Sequence, residues 1–165
     1  ACLECGASPA AVESGLDRFH GAKRRFELRG KTAGGAEVYD DYAHHPTEIK
    51  ATLDAARTLG KHVWCVFQPH TYTRTFGLFR ELSESFGNAD RVIVTDIYSA
   101  GREENESGIT PEKLAAAIPG AVCLRRGEDF SEIADYILKN TDENDVIFVM
   151  GAGDVIRLSA LLVDH

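Results

Sequence analysis

The chain has 165 residues, 44% of them hydrophobic and 27% charged, a composition that indicates one globular domain with a real core and excludes a disordered or fibrous protein. The formal net charge of −8 argues against a nucleic-acid partner, because affinity for phosphate backbones depends on clustered Lys and Arg. No apolar run approaches the about 20 residues of a membrane-spanning helix, so we expect no membrane partner.

The four cysteines indicate a reducing, cytoplasmic location. Cys2 and Cys5 form a CxxC pair, but no second pair stands at zinc-ribbon spacing. Cys65 and Cys123 lie inside apolar runs, where a buried, reduced thiol is the common outcome.

The first residues form an amphipathic pattern that begins without an entry signal. Ser8 and Pro9 are typical of a helix start, and apolar residues follow at helical spacing. A sequence that opens inside such a pattern is expected to be cut from a longer chain.

From residue 24 onwards, strand and helix patterns follow one another. Two short strands, near 24–30 and 36–40, flank a Gly-Gly turn, and a helix follows over residues 46–57. Continuous apolar runs predict covered strands, which lie at 62–68, 91–98, 121–125 and 145–155, the last of them running into a glycine turn. Apolar stripes at helical spacing predict helices at 74–89, 111–117, 129–141 and 154–163.

This alternation predicts an α/β fold of the doubly wound, Rossmann-like class. The sheet is expected to be mostly parallel, with helices on both faces and an antiparallel hairpin at its N-terminal edge. In such sheets a ligand binds beyond the carboxyl ends of the strands. The polar clusters of this chain stand at those ends: "DDYAHHP", "QPHTYTR", "DIYSAGREE" and "GAGD".

The cluster "DDYAHHP" (40–46) allows several interpretations. Asp40, Asp41, His44 and His45 are metal-ligand types, but adjacent imidazoles point in different directions and no third-ligand pattern follows, so we expect no metal site. His45 followed by Pro46 equally suits a helix entrance. For Asp41 we favour ligand binding, since a carboxylate at a strand end is placed to accept hydrogen bonds from ribose hydroxyls.

The other clusters also have two interpretations each. "QPHTYTRT" (68–75) offers free backbone N–H groups for an anion, and Arg74 can hold a carboxylate in a two-pronged manner, or it can simply be solvated. "KRRF" (23–26) is either a phosphate contact or an exposed hinge. "GAGD" (151–154) is half of a nucleotide-binding fingerprint, and close packing explains it as well.

Together these stretches resemble the Mur ligase family. The residues that carry the resemblance are "GLDRFHGAKRRFE" (15–27), "DDYAHHPTEI" (40–49), "FQPHTYTRT" (67–75), "VTDIYSAGRE" (94–103) and "VMGAGDV" (149–155). The resemblance implies a three-domain enzyme whose first domain binds a UDP-sugar, whose central domain holds ATP and Mg²⁺ with a P-loop, and whose third domain brings the amino acid. No G-x-x-x-x-G-K-[ST] motif occurs in this sequence. Residues 1–21 are therefore expected to be the last helix of a truncated central domain, and residues 22–165 a C-terminal domain that is inactive without its partner domains.

The resemblance further implies a reaction and a set of site residues. ATP would phosphorylate the lactyl carboxylate of UDP-N-acetylmuramate, and L-alanine would attack the acyl phosphate. Nucleotide contacts would come from Arg25 and Asp41. The amino-acid pocket would be formed by Tyr42, His44, His70 and Arg74, with His45, Thr71, Tyr72 and Asp154 as further candidates. Thr71 stands where many members have an arginine, which weakens the expectation of a two-arginine clamp. The alternatives are the related ligase that recycles a murein tripeptide and a standalone nucleotide- or metal-binding module.

Overall fold

The computed structural model describes residues 1–18 and 21–163. Its strands are β1 (Glu27–Lys31), β2 (Glu37–Asp41), β3 (His62–Phe67), β4 (Arg91–Val94), β5 (Val122–Cys123) and β6 (Asp145–Met150). Its helices are α1 (Pro9–Asp17), α2 (Pro46–Arg57), α3 (Tyr72–Gly77), α4 (Phe79–Ser83), α5 (Pro111–Ala117), α6 (Ser131–Asn140) and α7 (Ile156–Val163).

The strands form one sheet in the order β1-β2-β6-β3-β4-β5. β1 and β2 pair in antiparallel fashion, and every other neighbouring pair is parallel. The predicted fold class is confirmed, including the antiparallel pair at the N-terminal edge.

Helices cover both faces of the sheet, and each face has its own apolar core. On one face, Ile49 and Leu53 of α2 pack with Leu114 of α5. On the other face, Ile133 of α6 packs with Leu158 of α7. β6 lies between these two layers, and all six of its residues are buried. A strand covered on both sides explains its continuous apolar run.

Several predicted elements differ from the structure. The strand predicted at 91–98 ends at Val94, and the one predicted at 121–125 spans only Val122–Cys123. The helix expected at 74–89 is broken at Leu78, whose ψ of 21° is not helical, into the short helices α3 and α4. Phe76, placed in the same stripe as the buried Leu82, is consequently 60% exposed. The first strand begins at Glu27 rather than at residue 24, because Arg24 and Phe26 have positive φ angles of 56° and 49°.

Helix α1 begins as the sequence predicts, with the Ser8 side chain accepting the Ala11 N–H. None of its residues is buried, and Leu16 is 68% exposed. Residues 19 and 20 of the predicted segment 1–21 lie outside the described residues. Within the described ranges, no helix is long and apolar enough to cross a membrane.

Candidate functional site

The candidate site lies at the carboxyl edge of the sheet. The chain leaves β3 towards β4, whereas it leaves β6 in the other direction, into α7, which packs against β1 and β2. This reversal between β3 and β6 is a topological switch point, where doubly wound folds bind their ligands. The segments that follow β2, β3, β4 and β6 all meet at this edge.

A row of four aromatic rings runs along the edge. The ring centroids of Tyr42 and His44 are 5.3 Å apart, those of His44 and His70 are 6.1 Å apart, and those of His70 and Tyr98 are 5.9 Å apart. The row joins residues that follow β2, β3 and β4. The structure therefore brings together Tyr42, His44 and His70, three of the four residues predicted for the amino-acid pocket, and adds Tyr98, which the sequence analysis missed.

The two imidazoles of this row differ in their surroundings. Nδ1 of His44 lies 2.9 Å from the carbonyl oxygen of Tyr42, which only accepts, and 3.5 Å from Oε2 of Glu48, so this nitrogen carries a proton. Burial, reinforced by the charges of Arg74 and His44, lowers the pKa of His70. Nδ1 of His70 is buried and finds no partner among the described residues. The row therefore forms a wall of the site in which the lowered pKa of His70 favours the uncharged ring.

Arg74 projects from α3 beside this wall. Its side chain is exposed and forms no ion pair within the described ranges. Thr71 precedes the helix but does not cap it with its side chain. Instead, its hydroxyl donates to Glu103, 2.5 Å away. Of the predicted candidates, Thr71 is thus a hydrogen-bond partner of Glu103. Tyr72 lines an adjoining cleft.

Asp41 is buried at the end of β2, with 4% of its surface exposed. Its Oδ2 accepts the N–H of Phe26 at 2.8 Å, and its Oδ1 accepts the N–H of Ala43 at 2.7 Å. These bonds hold the residue-24–26 segment against the strand end. Each oxygen keeps one further lone pair, so the predicted ribose contact stays a prediction.

The two arginines of "KRRF" have different roles. Arg24 donates to Asp40 at 3.0 Å and to the carbonyl of Gly151 at 2.6 Å, and its guanidinium lies 4.9 Å from the ring centroid of Tyr42. Asp40 is wholly buried, and this burial raises its pKa in spite of the neighbouring guanidinium. Arg25, the predicted nucleotide contact, is half-exposed and lies 3.8 Å from Glu48. The sequence analysis missed Arg24, because nothing in "RR" shows which side chain reaches a buried partner.

His45 caps α2, one of the two interpretations left open for it. Its Nδ1 accepts the N–H of Thr47, and the Glu48 side chain accepts the N–H of His45 and of His44 in return. This capping box fixes the backbone that carries His44.

The "GAGD" turn is closely packed against the end of β3. A Cβ at Gly151 would lie 2.8 Å from the carbonyl oxygen of Gln68, and a Cβ at Gly153 would collide with Gln68 and Tyr98. Asp154 accepts from Gln68 Nε2 at 2.8 Å and pairs with Arg126. Close packing thus accounts for both glycines. Beside this turn, Gln68, Tyr98 and Arg126 line a cavity of about 370 Å³.

Metal-ligand side chains do not converge in the described part of the chain. No group of three or more His, Cys, Asp or Glu side chains is arranged to hold an ion there. Asp41 and His45 are instead engaged with backbone N–H groups.

Comparisons with known proteins agree with this architecture. Residues 24–153 match the family described as Mur ligase, glutamate ligase domain. The UDP-N-acetylmuramate–L-alanine ligase of Acetivibrio thermocellus is 45% identical over 168 residues, covering 99% of this chain and 35% of that protein.

Solved structures show the same fold. The UDP-N-acetylmuramate-alanine ligase of Thermotoga maritima superposes with a TM-score of 0.77 at 25% identity, covering 99% of this chain and 34% of that one. The murein peptide ligase of Psychrobacter arcticus gives a TM-score of 0.65 at 26% identity, covering 99% and 35%. More distant structures of this fold, at 16% and 17% identity, are ADP complexes.

The chain spans about a third of the length of the curated relatives it matches. The family match nevertheless extends from the Arg24 segment to the "GAGD" turn and so includes every strand of the sheet. On this evidence of sequence and fold together, the chain belongs to the Mur ligase family.

Proposed function

We propose that residues 22–165 are the C-terminal domain of an ATP-dependent ligase that joins L-alanine to UDP-N-acetylmuramate. In this proposal residues 1–21 belong to the end of a central ATP-binding domain, and the domain described here presents the amino acid. The single observation that carries it is the row of rings of Tyr42, His44 and His70 beside the guanidinium of Arg74, which forms no ion pair with any residue that the structure describes. The relatives' names and the family match support the choice of reaction.

The arrangement suits a small zwitterion. Arg74 would hold the carboxylate of the amino acid through two parallel hydrogen bonds. The ring of His70, whose pKa is lowered, would receive the amine without repelling it. The domain would thereby hold the amine ready to attack an acyl phosphate formed, with release of ADP, on the sugar's lactyl carboxylate. The tetrahedral intermediate would then expel phosphate and leave the amide. Such positioning supplies much of the rate in phosphoryl-transfer enzymes.

The nucleotide would be held mainly by the central domain. ATP with Mg²⁺ supplies the phosphoryl group, and in this chain the residues that fit the nucleotide are Arg25 and Asp41. The Arg25 guanidinium is half-exposed and its ion pair with Glu48 is long, so it is available to a phosphate. Asp41 is fixed by two backbone N–H groups and keeps lone pairs for a ribose hydroxyl. A cytoplasmic location is part of the proposal, since Cys65 and Cys123 are thiols of the kind that a reducing compartment preserves.

The test is phosphate release by the full-length ligase with ATP, UDP-N-acetylmuramate and L-alanine. We expect release that depends on L-alanine, and a KM for L-alanine that rises about 10- to 100-fold in Arg74→Ala, the range expected for a lost charged hydrogen bond. Arg80→Ala is the matched control, because Arg80 is an exposed arginine of α4 whose one ion pair within the described residues is with Glu84, the residue that follows this helix. The 165-residue chain alone should show no turnover. Turnover by that chain, or equal KM values in the two variants, would contradict the proposal.

Two alternative functions can be tested with the same full-length ligase and the same 165-residue chain. The likeness to a murein peptide ligase favours a recycling enzyme, which would use a tripeptide in preference to L-alanine in the full-length assay. The standalone-module alternative predicts tight binding by the 165-residue chain in calorimetric titrations with ATP, ADP or zinc. Zinc binding that is lost in His44→Ala and His45→Ala would support that module and oppose the pocket assignment.

A further inference from the structure

Arg24 joins the ends of two neighbouring strands, β2 and β6. Its Nε donates to Oδ2 of Asp40 at 3.0 Å, and its Nη2 donates to the carbonyl oxygen of Gly151 at 2.6 Å. Asp40 belongs to β2, and Gly151 directly follows β6. The guanidinium therefore lies across the carboxyl edge of the sheet, where the candidate site is.

These bonds make Arg24 poorly suited to hold a substrate itself. Only 20% of its side chain is exposed, compared with 54% for that of Arg25. A ligand that drew the guanidinium away would leave the wholly buried Asp40 without a partner, which is strongly destabilising for a carboxylate inside a protein. Any role of Arg24 in the site is therefore exerted through its neighbours.

Tyr42, the first ring of the row, is held by Arg24 at two points. The backbone carbonyl of Arg24 accepts the N–H of Tyr42 at 2.8 Å. The guanidinium carbon of Arg24 lies over the Tyr42 ring, 4.9 Å from its centroid. Such a contact is directional, because the positive charge is attracted to the face of the ring. One residue thus holds both the backbone and the ring of Tyr42.

The orientation of the Tyr42 ring depends on contacts with its face and its edge. The residue is 36% exposed, and within residues 1–18 and 21–163 no hydrogen bond reaches its hydroxyl. The ring also contacts the guanidinium of Arg25 at 5.8 Å and, edge to face, the imidazole of His44 at 5.3 Å. Since the His44 ring lies next to that of His70, a turn of the Tyr42 ring would alter the wall along which the amino acid is proposed to lie.

We propose that Arg24 is a positioning residue of the amino-acid pocket, which acts on the substrate through the ring of Tyr42. This inference rests on the proposed function and adds to it a residue that does not touch the substrate. With the guanidinium in place, Tyr42 and His44 present one arrangement to the amino acid. Without it, the Tyr42 ring has several orientations, and binding must select one of them with a loss of affinity.

The experiment measures KM and kcat for L-alanine in the full-length ligase. Arg24→Ala is unsuitable here, because it leaves Asp40 as a buried, unpaired charge. The combined variant Arg24→Met with Asp40→Asn removes both charges of the pair together. Asp40→Asn alone is its matched control, since the amide oxygen still accepts a hydrogen bond from Arg24.

We expect the combined variant to raise KM for L-alanine about 3- to 30-fold with little change in kcat, the range for a lost contact between a cation and an aromatic ring. The control should stay within about 2-fold of the wild type, because it keeps that contact. Arg24→Lys keeps a charge for Asp40 but has no planar fork to reach Gly151 at the same time. It should raise KM by a smaller factor, and it provides the test if the combined variant is unstable.

A second set of variants tests whether Arg24 acts through Tyr42. The two substitutions of the combined variant are introduced into Tyr42→Leu, which removes the ring. We expect a further rise in KM of less than about 2-fold in this background, because residues that act through one contact are not additive. A role of Arg24 in the fold alone would give the same rise with and without the ring.

The outcomes separate this inference from the proposed function. A wild-type ligase whose phosphate release does not depend on L-alanine overturns both. If the wild type uses L-alanine and Arg74→Ala raises the KM for it, an unchanged KM in the Arg24 variants overturns the role of Arg24 alone. A full additional rise in the Tyr42→Leu background also overturns that role, since it means that Arg24 affects the pocket independently of the ring.

Discussion

One methyl group added at Gly153 tests the close packing of the "GAGD" turn against the end of β3. A Cβ at this position would collide with Oε1 of Gln68 and would lie 2.5 Å from Cγ and 2.6 Å from Cδ1 of Tyr98. Gln68 has little room to move, because it is 1% exposed and holds Asp154 and the N–H of Val155 at 2.8 and 3.1 Å. Real Cβ atoms do not approach other atoms this closely, so Gln68 or Tyr98 must shift.

The expected loss in the free energy of unfolding follows from these contacts. Displacing Gln68 weakens two hydrogen bonds that contribute about 1 kcal/mol each, and overpacking a tight interior adds about 1–3 kcal/mol. We therefore expect Gly153→Ala to lower the free energy of unfolding by about 3–5 kcal/mol, a large part of the about 5–15 kcal/mol of an ordinary domain. Urea denaturation of the chain measures this loss through the fluorescence of Trp64, the single tryptophan, which is 7% exposed.

Gly87→Ala is the matched control. Nothing lies within 4 Å of a Cβ built at Gly87, so its free energy of unfolding should stay within about 0.5 kcal/mol of the wild type. Equal unfolding free energies for Gly153→Ala and Gly87→Ala would refute the packing argument, and with it the conclusion that close packing requires glycine at position 153.

Two further predictions concern buried charge. Arg24→Ala removes the partner of the wholly buried Asp40 and should lower the free energy of unfolding by about 3–5 kcal/mol at pH 7. The loss should shrink at acidic pH, since burial already raises the Asp40 pKa and protonation removes the uncompensated charge. Arg25→Ala, which breaks a long surface pair with Glu48 and removes a guanidinium 5.8 Å from the ring centroid of Tyr42, should cost less than about 1 kcal/mol. Equal losses in Arg24→Ala and Arg25→Ala would contradict the assignment. Because the pKa of His70 is lowered on folding, the unfolded chain binds more protons between that lowered pKa and about 6.5, so stability should fall as the pH drops through this window. Denaturation curves at several pH values should show this slope in the wild type and in the control His62→Gln, whose imidazole is exposed. The slope should be absent in His70→Gln. A slope retained in His70→Gln would contradict the prediction.

Local signals were sufficient to predict the elements whose boundaries depend on the backbone itself. The helix predicted at 46–57 is α2 with the same bounds, because Pro46 in its first turn and the His45 cap are features of the sequence. The break between α3 and α4 was not predictable in this way. Phe76 continues a helical stripe in the sequence, but the chain turns at Leu78 and leaves Phe76 in solvent.

In the candidate site, too, some features could be predicted from the sequence and others depend on contacts made only in the folded chain. The rule that ligand groups gather at the carboxyl ends of parallel strands was enough to bring His44 and His70 together. It did not distinguish Arg24 from Arg25, because the partner that decides their roles, Asp40, comes from a strand 16 residues away. Glu103 was missed for the same reason, since its bond to Thr71 joins two loops that are adjacent only after the sheet has formed.

The position of β6 has a consequence for how the chain acquires its structure during synthesis. β6 is the last strand along the chain, yet it lies between β2 and β3 and pairs with both. Until Asp145–Met150 leaves the ribosome, β1 and β2 can form only a hairpin, and β3, β4 and β5 only a separate three-stranded piece. Each piece then presents an open apolar edge of the kind that attracts other chains. The nascent domain therefore depends on its final strand to join two halves into one sheet, and ribosome-bound chains that stop before residue 145 should be the species that chaperones protect.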